Sequence, residues 1–160
     1  MNELADNKAL VTRYFNSIGT SDFEDVSQMM ASELKFWCAA GTGAEESVVF
    51  TTPDQLMTDL RHSLGDLYDA KVGINPEIRS LTAEGDRVVA EVCIRGRSAH
   101  THEKYENLYV FLFWIRDGIF QEIHEHLDTS YANRVLLNPA GITSGAEMPW
   151  LEKRAEDAPK

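Results

Sequence analysis

The chain is poor in several kinds of residue, and each shortage excludes a class of protein. Of 160 residues only two are cysteine and five are proline, which argues against a disulfide-rich scaffold and a proline-rich chain. No apolar run approaches the roughly 18 residues that a transmembrane helix needs. Residues 1–6 contain no basic region and no apolar core, unlike a signal peptide. We therefore expect a cytoplasmic protein in which Cys38 and Cys93 are reduced thiols.

Basic residues are scarce relative to acidic ones. The chain has 15 Lys and Arg against 26 Asp and Glu, a formal net charge of −11 at pH 7. A surface this acidic repels nucleic-acid phosphates and anionic lipid headgroups. All of the excess charge lies within residues 1–133, since residues 134–160 hold four basic and four acidic side chains. We expect no nucleic-acid partner and no membrane partner, which leaves a small molecule as the expected ligand.

The remaining composition is that of a globular protein with both helices and strands. Hydrophobic residues make up 43% and charged residues 26% of the chain, close to the globular average. Apolar residues at helical spacing predict three helices, at about 6–18, 22–31 and 53–64. Alternation and turn residues predict six strands, at about 34–38, 48–50, 71–83, 87–97, 105–115 and 119–129.

This order of elements predicts an α+β fold. Hairpin-linked strands that follow three N-terminal helices indicate a curved antiparallel sheet with the helices on one face. A bent sheet closed by helices forms a cone with an interior cavity. Glycine and proline accumulate after residue 133, and periodicity fades there. We therefore divide the chain into a domain at 1–133 and a C-terminal arm or tail at 134–160.

Three stretches of the chain carry a resemblance to a known group of proteins. They are Leu-Val-Thr-Arg-Tyr-Phe at 10–15, the hairpin from Tyr-Glu-Asn-Leu-Tyr to Arg-Asp-Gly at 105–118, and Ile-His-Glu-His-Leu-Asp-Thr at 123–129. They resemble the NTF2-like superfamily, in its branch of SnoaL-like polyketide cyclases, ketosteroid isomerases and limonene epoxide hydrolases. The resemblance covers about residues 6–133. It implies the cone fold and a homodimer through the convex sheet, but no single activity, because this fold hosts enzymes of several classes and non-catalytic binders.

The family's catalytic residues carry over only in part. Tyr14 stands where ketosteroid isomerases have an oxyanion-binding tyrosine, but Cys38 and Phe111 stand where those enzymes have aspartates. Glu125 stands where limonene epoxide hydrolases have a water-activating aspartate, while positions of their other polar residues are apolar here, as at Val92. The resemblance therefore implies an acid–base site without implying either of these two reactions.

Glu125 is the candidate proton-transfer residue. It shares a strand face with Leu127, and the resemblance places that face inside the cone together with Asn107, Tyr109 and Phe111. Burial among apolar neighbours raises a carboxylate's pKa toward neutrality and suits it to proton transfer. The alternatives are that Glu125 pairs with an arginine, such as Arg95, or that the strand faces the other way.

Tyr14 is the candidate oxyanion donor, since a buried phenol is able to stabilise a developing negative charge. The alternative is a core tyrosine whose hydroxyl bonds a backbone carbonyl. Further residues are expected to line the substrate cavity. They are Phe36, Cys38, Leu60, Asn107, Tyr109, Phe111 and Leu127.

Two histidine pairs raise the question of a metal. The pairs are His100 with His102 and His124 with His126. The members of each pair are two residues apart, so in an extended strand both imidazoles would lie on the same face. Such pairs ligate zinc or iron when a third protein ligand joins them. However, the second pair lies on the strand face opposite Glu125, and the first pair falls in a predicted loop. We therefore predict no metal and no cofactor.

The residues together favour a cofactor-independent acid–base enzyme, whether a dehydratase, an isomerase, a cyclase or a C–C lyase. Its substrate is expected to be small, hydrophobic, oxygenated and ring-bearing. Glu125 would move the proton, and Tyr14, with Tyr109, would hold the oxygen. The alternatives are a non-catalytic module that binds a small molecule or a partner, an epoxide-hydrolase-like enzyme, and a metal-dependent hydrolase.

Overall fold

The computed structural model describes residues 3–39 and 48–137. Its helices are α1 (Glu3–Gly19), α2 (Phe23–Gln28), α3 (Pro53–Leu67) and α4 (Thr129–Ala132), and a π-helical turn follows at Asn133–Leu137. Its strands are β1 (Met30–Cys38), β2 (Val48–Phe50), β3 (Asn75–Glu84), β4 (Arg87–Arg97), β5 (Lys104–Arg116) and β6 (Ile119–Leu127). This combination confirms the predicted α+β class.

The strands form one curved, unclosed sheet in the order β2-β1-β6-β5-β4-β3. The hairpin-linked neighbours are antiparallel, as predicted, but β1 and β6 run parallel. The sheet is therefore mixed at this one junction. The reason is topological, because a hairpin forces antiparallel pairing, whereas β1 and β6 are separated by α3 and other strands that leave their direction free.

The first two helices differ from their predicted bounds. α1 begins at Glu3, earlier than predicted, and ends at Gly19. α2 ends at Gln28, so the prediction that Met30 is helical is wrong, and this residue opens β1 instead. Asp22 caps α2 by accepting a hydrogen bond from the backbone N–H of Asp25 at 3.0 Å. The residue before it, Ser21, lies in a turn with φ of 59°.

The third helix begins as predicted and ends later. The Thr52 hydroxyl accepts a hydrogen bond from the backbone N–H of Gln55 at 3.3 Å, while the Gln55 side chain accepts one from the backbone N–H of Thr51 at 3.0 Å. This reciprocal capping fixes the helix start. Gly65 does not end the helix, since α3 continues to Leu67. The helix is therefore longer at its C-terminal end than the sequence predicts.

An aromatic core joins α1 to the concave face of the sheet. The Tyr14 ring lies edge-on to Phe113 at 5.5 Å and to Phe120 at 5.6 Å between ring centroids, and Phe15 lies 5.1 Å from Phe111. Such edge-to-face contacts contribute beyond the area they bury. These aromatic contacts therefore cover one end of the concave face with α1.

The chain turns back over the other end of the concave face after β6. Asp128 ends the strand and caps α4 by accepting a hydrogen bond from the backbone N–H of Tyr131 at 2.9 Å. The structure describes residues 134–137 of the predicted arm, and Val135 and Leu136 are buried in the core. Residues 138–160 lie outside the described part, so the division at residue 133 stays a prediction.

Candidate active site

The β1–β6–β5 segment of the sheet brings three predicted site residues side by side. In the strand register, Glu125 lies opposite Cys38 on one side and Phe111 on the other. Burial alternates along β5, where Phe111 belongs to the buried, concave face. Glu125 therefore lies on the concave face, between Ile123 and Leu127 of its own strand.

The environment of Glu125 favours its neutral form. Glu125 is half-buried as a residue, and protein atoms surround its carboxyl group. Burial raises the pKa of Glu125 to about 7, and the negative charge of Asp59 acts in the same direction. A hydrogen bond from the Cys38 thiol partly opposes the rise. A carboxyl group with this pKa exchanges protons near neutral pH.

Glu125 has no arginine partner among the described residues. Arg95, the alternative partner raised by the sequence, lies on the convex face, where it bonds Glu77 and, at 3.2 Å, Glu106. The groups that shift the pKa of Glu125 are a thiol and a carboxylate, with no lysine or arginine among them. A structural ion pair therefore does not explain why this carboxylate is buried.

Tyr14 faces the same space from α1. Its side chain is 3% exposed, and burial together with the charges of Glu125 and Cys38 raises its pKa well above the usual range. Within residues 3–39 and 48–137 its hydroxyl has no hydrogen-bond partner, and no backbone carbonyl accepts from it. The hydroxyl therefore remains available to a bound molecule.

A second group of hydroxyls lies on the other side of Glu125. The hydroxyls of Tyr105 and Tyr109 are 2.7 Å apart, and the side-chain amide of Asn107 donates to Tyr105 at 2.9 Å. The Tyr68 hydroxyl interacts with both phenols. Burial raises the pKa of all three tyrosines, and the negative charge of Glu125 acts in the same direction. We call these three residues the tyrosine cluster.

The remaining predicted lining residues surround this centre. Phe36 is buried, with its ring 6.0 Å from that of Phe50. Leu60 and Leu127 are half-buried and pack against the same core. The structure thus brings the predicted residues to one face, and it gives Cys38 a polar contact that the sequence did not indicate.

Three residues of the site were not predicted. Tyr105 had a signal, because it continues the alternation of Asn107 and Tyr109 along β5. Tyr68 lies after the predicted helix end at Gly65, so nothing directed it toward the sheet. Asp59 was not considered from the sequence; its carboxylate accepts a hydrogen bond from Ser63 at 3.3 Å.

The histidines lie away from this site. His124 and His126 pack on Trp37 on the convex face, at 5.5 and 4.8 Å between ring centroids, and His124 also contacts Glu122 at 2.6 Å. In the part of the chain that the structure describes, no three His, Cys, Asp or Glu side chains are placed to hold a metal ion.

The fold is the NTF2-like cone fold. More specifically, the sequence model of the SnoaL-like domain matches residues 11–123, so the chain belongs to the SnoaL-like family. No described helix is long and apolar enough to cross a membrane.

Solved structures share this fold at low identity. An NTF2-like protein from Burkholderia xenovorans is 18% identical, with 83% of this chain and 97% of that chain covered and a TM-score of 0.66. A putative SnoaL-like polyketide cyclase from Jannaschia is 16% identical, with 87% and 96% covered and a TM-score of 0.72. An LEH-like epoxide hydrolase from M. tuberculosis is 18% identical, with 84% and 92% covered and a TM-score of 0.66. No curated protein matches the chain. At these identities the likeness is one of fold.

Proposed function

We propose that this protein is a cofactor-independent acid–base enzyme that acts on a small, apolar, oxygenated molecule bound against Glu125. The observation that carries the proposal is a carboxyl group with a pKa of about 7, buried on the concave face without a basic partner in the described chain. Burying a carboxylate without a cation destabilises a fold. Proton transfer is a function that requires such a carboxyl group in spite of this destabilisation.

The proposed chemistry needs two groups. Because its pKa is near neutral, Glu125 is present in both forms at pH 7, so it takes a proton from the substrate and returns it at another atom. The unengaged Tyr14 hydroxyl donates a hydrogen bond to an oxygen on which negative charge develops. Dehydration, isomerisation, cyclisation and C–C cleavage all use this pair of roles.

The apolar surroundings favour a ring-bearing substrate. Phe36, Phe111 and Leu127 supply flat and aliphatic surface beside the carboxyl group, and apolar burial is the main source of affinity for such a molecule. Two structural neighbours, described as a polyketide cyclase and an epoxide hydrolase, are consistent with substrates of this kind.

Deuterium exchange tests the proposal whichever of these reactions the enzyme catalyses. A panel of small cyclic ketones, hydroxyketones and epoxides is incubated with the protein in D2O and followed by mass spectrometry. Catalysed proton transfer appears as deuterium uptake, loss of water as a mass decrease, and epoxide hydrolysis as a mass increase. We expect a Glu125→Gln variant to lose at least about 100-fold of the observed rate.

Glu122→Gln is the matched control, because Glu122 lies on the same strand but on the convex face, bonded to Lys35 at 2.9 Å. It should keep the wild-type rate. A wild-type rate of turnover in Glu125→Gln would contradict the proposal.

The second candidate is a non-catalytic module that binds the same class of molecule. The observation that favours it is that Cys38 and Phe111 occupy positions where ketosteroid isomerases carry aspartates. A wild-type protein that binds members of the panel but produces no exchange, hydration or dehydration would support this candidate instead.

A further inference from the structure

We propose that a cavity between the α1–α2 turn, α3 and the chain entering β3 binds a small apolar carboxylate, and that Arg61 holds its carboxyl group. The cavity has a volume of about 260 Å³. The described residues that line it include Phe23, Arg61, Leu64, Tyr68 and Ile74. We call it the Arg61 cavity. It is distinct from the concave-face site of the proposed function, because neither Glu125 nor Tyr14 lines it.

Arg61 supplies the positive charge of the cavity. Its guanidinium lies over the ring of Phe23, 5.3 Å from the centroid, a cation–π contact that holds the group in place. Contact with a ring consumes none of the five N–H donors of an arginine. Within residues 3–39 and 48–137, Arg61 forms no ion pair and no side-chain hydrogen bond. Its planar N–H groups are therefore available to bind a carboxylate through two parallel hydrogen bonds.

The surface beside Arg61 is apolar. Leu64 and Ile74 are half-buried, and Tyr68 is 7% exposed. The Tyr68 hydroxyl interacts with the other two phenols of the tyrosine cluster, so this residue contributes its ring to the cavity rather than a donor. A cation next to aliphatic and aromatic walls matches a ligand that has a hydrocarbon ring and a single negative group.

Two glycines keep the cavity open. Gly65 and Gly73 both line it, and a Cβ at either position would meet no atom within 4 Å. Gly73 also has a positive φ of 67°, a backbone conformation that side chains other than glycine rarely adopt. The space next to Arg61 is therefore large enough for a molecule of one or two rings.

The acidic side chains of this region line a neighbouring cavity and not this one. A second cavity, of about 400 Å³, shares Phe23 and Arg61, and Glu24 and Asp54 also line it. The described lining of the Arg61 cavity contains no acidic residue. An anion is therefore favoured in the Arg61 cavity and repelled from its neighbour. The chain as a whole has a formal charge of −11, which favours a singly charged carboxylate over a phosphate.

Binding of 2-naphthoate, with 2-naphthalenemethanol as the matched neutral probe, tests the inference. Both are titrated into the full chain by isothermal calorimetry. We expect wild type to bind the carboxylate about tenfold more tightly than the alcohol, because hydrogen bonds between charged groups are stronger than neutral ones. Arg61→Gln should abolish this preference and change the affinity for the alcohol by no more than about twofold. Phe23→Leu should weaken naphthoate binding about threefold through loss of the cation–π contact.

Arg116→Gln is the matched control. Arg116 is also exposed and forms no ion pair with the described residues, but it lies at the end of β5, away from the cavity. This variant changes the net charge by the same amount and should keep the preference. Circular dichroism and thermal unfolding verify that each variant is folded.

Amide chemical shifts in NMR spectra of the wild-type protein locate the bound carboxylate. Saturable shifts on adding naphthoate are expected at Leu64, Gly65 and Gly73. Shifts confined to β5 and β6 would place the ligand on the sheet and overturn the inference.

Four results of the binding titrations would also overturn it. They are no binding of naphthoate at millimolar concentration, equal affinities for the two probes in wild type, a preference that survives in Arg61→Gln, and an equal loss of preference in Arg116→Gln. The outcome is independent of the proposed function, since binding at the Arg61 cavity requires no turnover and no contact with Glu125.

Discussion

Cys38 lies beside Glu125 across the parallel β1–β6 pair, and its thiol, which donates to the Ala39 carbonyl oxygen at 3.7 Å, lowers the pKa of that glutamate. The next residue, Ala39, bonds the backbone of the same glutamate, its N–H donating to the carbonyl oxygen at 3.1 Å. The end of β1 therefore holds the backbone of Glu125 in place and lowers the pKa of its side chain, because a donated hydrogen bond favours the ionised form of a carboxyl group.

Removing that thiol should raise the pKa of Glu125 further. A Cys38→Ala variant leaves burial and the charge of Asp59 in place, while Tyr14 faces the site as before. We expect the acid limb of the pH–rate profile for deuterium exchange to move upward by about 0.5–1 unit. Cys93→Ala is the control, because that thiol contacts Glu106 at 3.9 Å on the other face of the sheet. A downward shift in Cys38→Ala would contradict the assignment.

The stability of the fold should also report on Glu125. Its pKa is about 7 in the folded chain against 4.5 for an ordinary glutamate, so the folded state binds this proton more tightly. The corresponding stability is present below pH 4.5 and is lost as the pH rises to 7, by on the order of 3 kcal/mol. Glu125→Gln should therefore unfold at a higher temperature than wild type at pH 8 and at nearly the same temperature at pH 4.5.

Glu122→Gln serves as the comparison in the same unfolding experiment. Lys35 and His124 lower the pKa of Glu122, which is the opposite direction, so this variant should gain no stability at pH 8. Equal melting temperatures for Glu125→Gln and wild type at pH 8 would mean that Glu125 is not a buried charge.

Substitution of alanine for glycine should have opposite effects on the free energy of unfolding at two positions. At Gly96 a Cβ would lie 2.7 Å from the Tyr68 ring and 3.2 Å from the backbone oxygen of Gly73, so we expect a loss of about 1–3 kcal/mol in the free energy of unfolding. At Gly65, within α3, no atom lies within 4 Å of such a Cβ. Gly65→Ala should stabilise by about 0.5–1 kcal/mol. Denaturant unfolding measures both, and a stabilised Gly96→Ala variant would contradict this packing.

The convex face should mediate self-association. Leu108, Val110 and Val89 are 56%, 40% and 39% exposed there, and exposed apolar residues grouped on one face are typical of an interface. We propose a second copy of the chain as its partner. Leu108→Asp should shift a dimer toward monomer in light scattering, whereas Val72→Asp, at a 56% exposed position in the turn between α3 and β3, should not. A wild-type protein that is monomeric at tens of micromolar would exclude the dimer.

The helices and strands were predicted well from the sequence, because strand alternation and helix caps depend on residues that are close together in the chain. The alternation along β5 predicts the burial of Asn107, Tyr109 and Phe111, and the Thr52 cap predicts the start of α3. The fold class and the superfamily were also predictable, because apolar spacing and family motifs both lie in short stretches of sequence.

What the sequence did not reveal depends on contacts between distant elements. Gly65 has a low helix propensity, yet tertiary packing carries α3 past it and brings Tyr68 to Tyr105. The influence of Asp59 on Glu125 requires α3 to pack against β1, the strand beside β6. The parallel direction of β1 and β6 is not encoded in either strand. The candidate carboxylate was therefore predictable, whereas the nearby Tyr68, Tyr105 and Asp59 were not.

The parallel pairing also has a consequence for how the protein folds. It joins residues as far apart as Lys35 and Glu122, 87 positions along the chain, so its formation carries the entropic cost of closing a long loop. The hairpins of β3 to β6 are local and need no such closure. Pairing of β1 with β6 should therefore be a late step in folding. A chain still emerging from the ribosome would have most of its sheet but no assembled site, because the two strands that hold Cys38 and Glu125 meet only after β6 has been synthesised.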